Sequence, residues 1–347
     1  MVAGGLRTEK ALEDAGTLPA AWYREPSVFQ HERREVFGRE WLVFARADQV
    51  AEPSSYVAGM LAGYPLVVVR ADDGTLHAFH NVCRHRAGPL VADGEGNCRG
   101  GLVCRYHGWS YRQDGTLLRA RDFGAASDFD PAALGLWRAQ VATWAGLVWV
   151  NLDESAPGLE EDLAMFVGEA GEFPLERYEF REERTEELAC NWKTYVDNYL
   201  EGYHIPFVHP GLMQEIDASR YRVDTHDRYC VHAAPARDGA RNLGKWMWRW
   251  PNLALNLYAN GMNVERILPA GPDRTQITYS FFFTDADDAT IAATAAVSNT
   301  TLAEDRAICE AVQRNLDAGV YTTGRLSPKH EAGVFQFHEL LREALSR

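Results

Sequence analysis

Near its start the chain carries apolar residues that recur at helical spacing between Pro26 and Trp41. A Pro-Ser pair stands where such a helix would begin, and proline is favoured there because a first helical residue needs no N–H partner. The recurring apolar positions are Val28, Phe29, Val36 and Phe37. The pattern predicts an N-terminal helical arm, which we assign to residues 1–41.

Between residues 42 and 152 the pattern changes to short runs rich in β-branched and aromatic residues. The runs are LVFARADQV, YPLVVVRADDGTLHAFHNVC, GWSYRQDGTLL and GLVWVNLD. Asp-Gly pairs interrupt two of these runs, and Asp-Gly favours hairpin turns because glycine readily adopts positive φ. This stretch therefore predicts a small antiparallel β domain over residues 42–152.

Residues 153–347 mix helical and strand patterns. A connection rich in Glu, Pro and Gly covers roughly residues 153–180, and NWKTYVDNYLEGYH then has the spacing of a helix. Residues 221–284 predict several strands, and residues 287–318 predict a long helix. Strands and helices in separate runs are typical of an α+β domain.

Length and composition are those of a globular protein with two domains: 347 residues, 46% of them hydrophobic, and no biased tract. The net charge of -14 lacks the basic footprint of a nucleic-acid partner. The N-terminus has no signal-peptide core, and no apolar run reaches the roughly 18 residues of a membrane span. We expect a cytoplasmic protein without membrane contact.

Cysteines and histidines lie close together in residues 81–109, NVCRHRAGPLVADGEGNCRGGLVCRYHGW. Cys83 with His85, and Cys104 with His107, form two mixed pairs of metal ligands. A structural zinc ion could take these four, but zinc loops usually carry like ligands in pairs. Mixed pairs better fit a Rieske-type 2Fe-2S cluster, in which two thiolates hold one iron and two imidazoles the other. Cys98 has no histidine at this spacing and is interpreted as a thiol of the connecting loop.

A second pair of histidines, His204 and His209, follows the predicted helix and encloses Pro206. A regular helix would not direct both side chains to one point. If the helix ends near Tyr203 and proline turns the chain, both can converge on one ion. The alternative is that both are polar residues of the core.

The long helix offers a third ligand, because Asp305 falls on its apolar stripe. The other stripe positions are Leu302, Cys309, Val312 and Leu316. A buried carboxylate is costly unless it is paired or binds a metal. Two histidines and a carboxylate form the facial triad of non-haem Fe(II) oxygenases. Glu304 is the alternative carboxylate, but it lies off the stripe.

Three tryptophans alternate in GKWMWRWPN, so Trp246, Trp248 and Trp250 are predicted on one face of a strand. Tryptophans at this spacing are ordinary core residues. They could instead form an aromatic box, since an indole face attracts a methylated ammonium by roughly 0.5–2 kcal/mol and also stacks on an arene.

The segments CRHRAG and CRYHGW resemble the two halves of the motif of Rieske non-haem iron oxygenases. Arg105 stands where proline is common in the second half, which leaves the ligands intact but bears on the cluster potential. Respiratory Rieske proteins have an additional cysteine in each loop, whereas Gly88 and Tyr106 occupy those places here.

The segments NWKTYVDNYLEGYH, HP and EDRAICEAVQ are similar to the catalytic signature of the α subunits of these oxygenases. The resemblance implies an all-β Rieske domain at residues 42–152, ahead of a helix-grip-like, mononuclear iron domain at residues 153–347 with an antiparallel sheet and helices. It also implies that His204, His209 and Asp305 bind Fe(II). Glu201 would be the acidic residue that bridges the two metal sites, and Asp197 replaces a common glutamate nearby.

The same resemblance implies a reaction in which the reduced cluster passes an electron to the Fe(II) site, and oxygen from O₂ enters a C–H bond or a ring. Electrons would cross between subunits through His107, Glu201 and His204, which implies a cyclic oligomer, most often a homotrimer. The chain has no nucleotide fingerprint. A separate NAD(P)H-dependent reductase, with or without a ferredoxin, would supply the electrons.

The segments GRLSPKHEAGVFQFHELL and NLYANGMNVERILPAGP resemble the branch that includes choline, glycine betaine and carnitine oxygenases. This favours hydroxylation or oxidative N-demethylation of a small methylated amine. Aromatic-ring hydroxylation by a monooxygenase or dioxygenase is the alternative, and a Rieske electron-transfer protein is a more distant one.

Overall fold

The computed structural model describes residues 11–235, 244–284 and 286–347. The first ten residues of the predicted arm, and residues 236–243 and 285 near the predicted strands and long helix, lie outside this part. The α-helices are α1 (Pro26–Glu32), α2 (Leu159–Ala170), α3 (Trp192–Tyr199), α4 (Ile205–Val208), α5 (Leu212–Glu215), α6 (Asp288–Asp317) and α7 (Ala332–Leu345). None of the described helices combines the length and apolar character that a bilayer crossing requires.

The chain divides into two compact units. One unit is Gly38–Asp162, and the other combines the described residues up to Phe37 with Leu163–Arg347. The strands of the first unit are β1 (Leu42–Arg46), β2 (Ser55–Leu61), β3 (Tyr64–Arg70), β4 (Leu76–His80), β5 (Gly94–Asn97), β6 (Leu102–Val103), β7 (Ser110–Tyr111), β8 (Leu117–Arg119), β9 (Arg138–Trp144) and β10 (Leu147–Asn151).

The unit Gly38–Asp162 is all-β, as the alternation of apolar runs predicts. Seven strands form one sheet in the order β1-β10-β9-β4-β3-β2-β5, and β6-β7-β8 form a second sheet. All paired neighbours in these sheets are antiparallel. Gly74 and Gly115, in the two predicted Asp-Gly turns, have φ of 85° and 82°, a region that favours glycine. The predicted hairpins are therefore confirmed.

The second unit is built on a seven-stranded sheet in the order β11-β17-β16-β15-β14-β13-β12. Its strands are β11 (Glu179–Leu188), β12 (Arg222–Thr225), β13 (Tyr229–Ala233), β14 (Lys245–Arg249), β15 (Leu253–Tyr258), β16 (Gly261–Gly271) and β17 (Arg274–Phe283). All paired neighbours are antiparallel. Helix α3 packs on β16 and β17 and also contacts α6 and α7. This is the predicted α+β arrangement.

The N-terminal arm is helical, but shorter than predicted. Helix α1 continues as a π-helical turn over Arg33–Phe37 and ends there, before Gly38 and β1, instead of reaching Trp41. The Glu32 carboxylate accepts from Lys193 Nζ at 2.6 Å and from the Trp192 indole N–H at 2.9 Å. The Glu32 and Lys193 side chains are both fully buried. This ion pair fastens the arm to α3, the helix that leads into the candidate iron site.

Candidate functional site

Two short loops of the all-β unit carry the first set of predicted ligands, and each loop folds back on its own cysteine. Cys83 N–H donates to the Gly88 carbonyl at 2.8 Å, and Cys104 N–H donates to the Trp109 carbonyl at 2.9 Å. A Cβ on Gly88 would stand 2.9 Å from the Cys104 sulfur. The two loops therefore face each other closely, and a side chain at position 88 would displace the thiol.

The cysteines lie inside this pair of loops and the histidines lie nearer to solvent. Both thiols are buried, whereas His85 is half-buried and His107 is exposed. The two imidazole rings are 4.6 Å apart, and His85 stacks on Trp109. His85 Nδ1 is buried without a hydrogen-bond partner among the described residues. Desolvation, followed by the charges of His107 and Arg86, lowers the pKa of His85, which favours the neutral imidazole that a metal binds.

The four side chains offer two thiols and two imidazoles, which is the ligand set of a two-iron Rieske cluster. Among the residues that the structure describes, the one His/Cys/Asp/Glu group whose donor atoms all lie within 4.8 Å is found elsewhere, in the second unit. Cys98 is buried and donates to the Ser54 carbonyl at 3.2 Å, away from the loops.

That group in the second unit consists of His204, His209 and Asp305, the residues predicted as the iron ligands. His209 Nε2 lies 3.1 Å from both His204 Nε2 and Asp305 Oδ1. His204 Nε2 lies 3.7 Å from Asp305 Oδ1. Three donor atoms that face one another at these distances, largely shielded from water, fit a single ion of the facial-triad type.

The local backbone brings the two histidines together, although not quite as predicted. Helix α3 ends at Tyr199, four residues before the predicted end at Tyr203, and the short helix α4 follows. His204 directly precedes α4 and His209 directly follows it. Gly202 lies between the helices, and a Cβ at this position would overlap the ring of Tyr221.

A carboxylate holds the outer nitrogen of each histidine. Glu201 Oε1 lies 2.6 Å from His204 Nδ1, and Glu304 Oε2 lies 2.7 Å from His209 Nδ1. An Nδ1–H that donates to a carboxylate leaves the Nε2 lone pair for a metal. Glu304 was the alternative ligand from the sequence. It instead contacts His209 Nδ1, the ring nitrogen that points away from the three converging donor atoms.

Further contacts set the pKa of His209 and hold the carboxylates of Asp305 and Glu201. Burial lowers the pKa of His209, but hydrogen bonds and charges of Asp305 and Glu304 outweigh it, so the pKa lies above the usual value. Asn198 Nδ2 donates to Asp305 Oδ1 at 2.6 Å. Glu201 Oε2 accepts from the backbone N–H groups of Tyr203 and His204, which holds the segment just before α4.

Asp305 lies on the buried stripe of α6, as predicted, with Leu302, Cys309 and Leu316. Val312 is an exception, because 39% of its surface is exposed. Asp197, the one acidic residue of α3, accepts from Tyr23 OH at 2.6 Å and lies 2.9 Å from His338 Nε2. It therefore contacts none of the three ligands.

A cavity of about 680 Å³ opens beside the three ligands. One wall is a row of cross-strand neighbours on a single face of the sheet, since directly paired residues share a face. The row is Trp246, Asn256, Asn263 and Phe281. Tyr195, Tyr199, Tyr258 and Tyr279 add aromatic surface. The cavity is thus lined mainly by rings and amides.

Of the three predicted tryptophans only Trp246 lines this cavity. Trp248 and Trp250 are buried and pack against Phe337 of α7, with ring centroids 5.6 and 5.9 Å from it. The expected box of three indoles is therefore wrong for these two residues. The β14 strand ends at Arg249, and Trp250 lies in the turn that follows.

Sequence reasoning missed Glu265, which also lines the cavity. Desolvation, followed by the charge of Asp305, raises the pKa of Glu265 to about 7. Its Oε1 accepts from Asn256 Nδ2 at 2.8 Å and Asn263 Nδ2 at 3.3 Å. The signal in the sequence was a glutamate at an alternating position with Asn263 in the strand-like run MNVERILP.

Two family models match the chain, one in each unit. A model described as Rieske [2Fe-2S] domain matches residues 40–130, which include both Cys-His loops. A model described as Ring hydroxylating alpha subunit (catalytic domain) matches residues 175–236 and 222–347, which include the three converging ligands.

Similar proteins match over nearly the whole chain. Chloroplastic choline monooxygenase of Beta vulgaris is 32% identical over 96% of this chain and 78% of its own length. The carnitine monooxygenase oxygenase subunit of Escherichia coli (strain K12) is 29% identical over 95% and 94%. The crystal structure of the quaternary ammonium Rieske monooxygenase CntA with L-carnitine superposes with a TM-score of 0.84, at 28% identity and 96% coverage of each chain.

Proposed function

This chain belongs to the Rieske non-haem iron oxygenases, and we propose that it is the terminal oxygenase component that oxidises a small methylated amine, favouring a quaternary ammonium compound. One observation carries the proposal. His204, His209 and Asp305 converge beside an aromatic-lined cavity in a chain that also has the two Cys-His loops. An electron carrier would need the loops but not the second centre.

The family carries a 2Fe-2S Rieske cluster and a mononuclear non-haem iron. The cluster would be held by Cys83 and Cys104 on one iron and by His85 and His107 on the other. His204, His209 and Asp305 would hold the mononuclear iron. When bound, these groups supply single-electron transfer and activation of O₂, respectively.

The protein groups around the iron site orient ligands and substrate. Glu201 and Glu304 fix the tautomers of the two histidines, and Asn198 holds the Asp305 carboxylate by one oxygen. Burial raises the pKa of the cavity tyrosines Tyr195, Tyr199 and Tyr279 well above the usual range, so their hydroxyls stay protonated. Neutral aromatic walls suit a methylated ammonium, which prefers ring faces to water-filled polar sites.

The substrate class follows from two supports. Relatives along nearly the entire chain are named for choline and carnitine, and CntA has been crystallised with L-carnitine. Trp246 places an indole in the cavity wall, beside the ring of Tyr258. The chemistry is insertion of one oxygen atom, as in the named monooxygenases, and dioxygenation of a ring is the alternative.

Oxygenases of this family need an external electron donor. We propose that the donor is a separate NAD(P)H-dependent reductase, with or without a ferredoxin. We infer a cyclic homotrimer in which the cluster of one subunit serves the iron of the next. Glu201 would bridge His204 to His107 of the partner subunit. Support comes from Glu201, which lies between the 680 Å³ cavity and a second cavity of about 430 Å³.

The sequence limits of the domains and the cellular location stay proposals. The Rieske domain would cover residues 42–152, with the helical arm before it and the mononuclear iron domain at 153–347. A cytoplasmic location is our proposal for this chain. Relatives from plants are chloroplastic, so location differs within the family.

The proposed function is tested with purified holoenzyme, a surrogate reductase and a panel of choline, betaines, carnitine and aromatic acids. NADH oxidation, O₂ uptake and aldehyde formation are measured together. We expect substrate-dependent NADH and O₂ consumption with a methylated amine. Turnover confined to the aromatic acids would overturn the amine assignment in favour of ring hydroxylation.

A further inference from the structure

Glu265 lies deep on the sheet face that forms the cavity wall. It is opposite Ala254 on β15 and Tyr279 on β17, one row further along than Asn263. Its side chain lines the cavity, yet the residue is only 6% exposed. A carboxylate in this position is largely withdrawn from water but remains accessible to a bound ligand.

The hydrogen bonds to Glu265 suit its ionised form. Both amide groups that contact Oε1, from Asn256 and Asn263, are donors, and Tyr195 OH lies 3.4 Å from Oε2. The Asn256 carbonyl oxygen is fixed by Tyr199 OH at 2.8 Å, which directs the Asn256 amide nitrogen toward Glu265. Donors that converge on a carboxylate favour its charged form.

Among the described residues no cation pairs directly with this carboxylate, although the charge of Arg184 acts on it from a distance and lowers its pKa. In the part of the chain that the structure describes, Glu265 forms no ion pair. Arg184 shares its sheet face, but Tyr279 lies between them, and the guanidinium is bonded to Ala295 and Ser298 instead. A cationic ligand bound in the cavity would therefore be its direct counter-charge.

The cavity also offers little to an anionic group. Its described acidic lining residues are Glu172, Glu201, Glu215, Glu265 and Asp305, and its one described lysine or arginine is Lys245. Lys245 Nζ is already paired with Glu169 and Glu172. Among the described side chains of the lining, a substrate carboxylate would therefore find no unpaired lysine or arginine.

We propose that Glu265 is the counter-charge for the methylated ammonium group of the substrate, and that the cavity selects cationic amines without a carboxylate over zwitterionic betaines. This inference rests on the proposed function. The aromatic walls supply shape and cation–π attraction, and Glu265 supplies the charge that distinguishes a cation from a neutral molecule of equal shape. Choline is the simplest member of the favoured class.

Calorimetric binding to the holoenzyme tests this inference with three probes: choline, its neutral carbon isostere 3,3-dimethylbutan-1-ol, and glycine betaine. We expect the parent protein to bind choline more tightly than either other probe. Glu265→Gln should raise the Kd for choline by about tenfold or more, because it leaves a desolvated cation unpaired, while the Kd for the isostere changes by less than about twofold.

Two further variants separate charge from folding. Glu265→Asp keeps the charge and should retain the preference for choline over the isostere. Glu187→Gln removes an exposed charge on β11 of the same sheet, outside the cavity lining, and should leave that preference unchanged. Isostere binding reports in each variant that the cavity is still formed.

The other possible outcomes contradict either the role of Glu265 or the proposed function. Equal losses for choline and isostere in Glu265→Gln, no loss for either, or tighter binding of glycine betaine than of choline would overturn the role of Glu265. A parent protein that binds none of the methylated amines would overturn the proposed function and this inference with it.

Discussion

Glu304 Oε2 lies 2.7 Å from Nδ1 of His209, and His209 Nε2 in turn lies 3.1 Å from Asp305 Oδ1. Adjacent residues of α6 therefore act on opposite nitrogens of one imidazole. One carboxylate faces the space for the metal and the other fixes the ring from behind. Such partners commonly contribute 10–100-fold to metal affinity.

Replacement of Glu304 by alanine is accordingly predicted to weaken iron binding by about 10–100-fold without altering the Rieske cluster. The affinity for the mononuclear iron is measured as the iron that remains after dialysis against increasing concentrations of a chelator. The visible spectrum of the cluster serves as the internal reference. Glu310→Ala is the control, since Glu310 lies on the same helix but contacts Ala189 N–H. Equal iron retention in both variants would contradict the positioning role.

Asp305→Ala is predicted to keep the cluster colour and to lose the mononuclear iron, because the proposed cluster ligands lie in the other unit. Iron content should fall from about three to about two atoms per chain. Substrate oxidation should be lost with it. Retained turnover would show that Asp305 is not a ligand.

Cys83→Ser and His107→Ala are predicted to bleach the visible spectrum, since each removes a proposed cluster ligand. Cys98→Ser is the matched control, because its thiol donates to the Ser54 carbonyl and is not a proposed cluster ligand. A normal cluster spectrum in Cys83→Ser would refute the assignment of the first motif.

Glu201→Gln is predicted to keep both metal centres and substrate binding but to slow electron transfer between them. The amide conserves size and loses the charge that orients His204 Nδ1. Stopped-flow reoxidation of the reduced cluster, with substrate and O₂ present, measures the rate in one turnover. A rate equal to that of the parent would contradict the bridging proposal.

Binding of choline is predicted to weaken as the pH falls through about 7, where Glu265 gains its proton. The raised pKa means that the charged form dominates only above this range, and a bound cation would extend it downward. Groups that face Glu265 are Tyr195, Asn256, Asn263 and Tyr279, with the charges of Asp305 and Arg184 beyond them. The test is the difference between the pH profiles of the parent and Glu265→Gln, because groups common to both proteins cancel in that difference. Identical pH profiles would exclude Glu265 as the titrating group.

Lys193→Met is predicted to destabilise the protein by about 3–5 kcal/mol, because it leaves the buried carboxylate of Glu32 without its cation. The double variant Glu32→Leu/Lys193→Met should recover part of the loss, since neither charge then remains buried. Chemical denaturation followed by tryptophan fluorescence measures both. A single variant as stable as the parent would show that the pair does not hold the arm to α3.

Local spacing explains what the sequence could predict. Two Cys-His pairs, two histidines five residues apart and a carboxylate on an apolar helical stripe are each visible within one segment. The roles of Glu304 and Glu265 cannot be predicted in this way, because they depend on contacts between elements that are distant in the sequence. Asn256, Asn263 and Glu265 come together only through the register of β15 and β16.

The tryptophans show the limit of strand periodicity. Alternation correctly places Trp246 and Trp248 on one face, but it does not tell how far along that face the cavity extends. Helix α7 covers the far end, where Phe337 contacts Trp248. The end of α3 was also predicted too late, because the close approach of Gly202 to Tyr221 involves a residue nineteen positions away.

The most direct test of the central claim is one turnover of the fully reduced holoenzyme with O₂ and choline, with product quantified by mass spectrometry against reoxidised cluster. The account predicts that the cluster reoxidises rapidly only when the amine is present, and that oxidised amine forms in proportion to it. Cluster reoxidation without any oxidised amine across the panel of methylated amines, together with product from an aromatic acid under the same conditions, would contradict it.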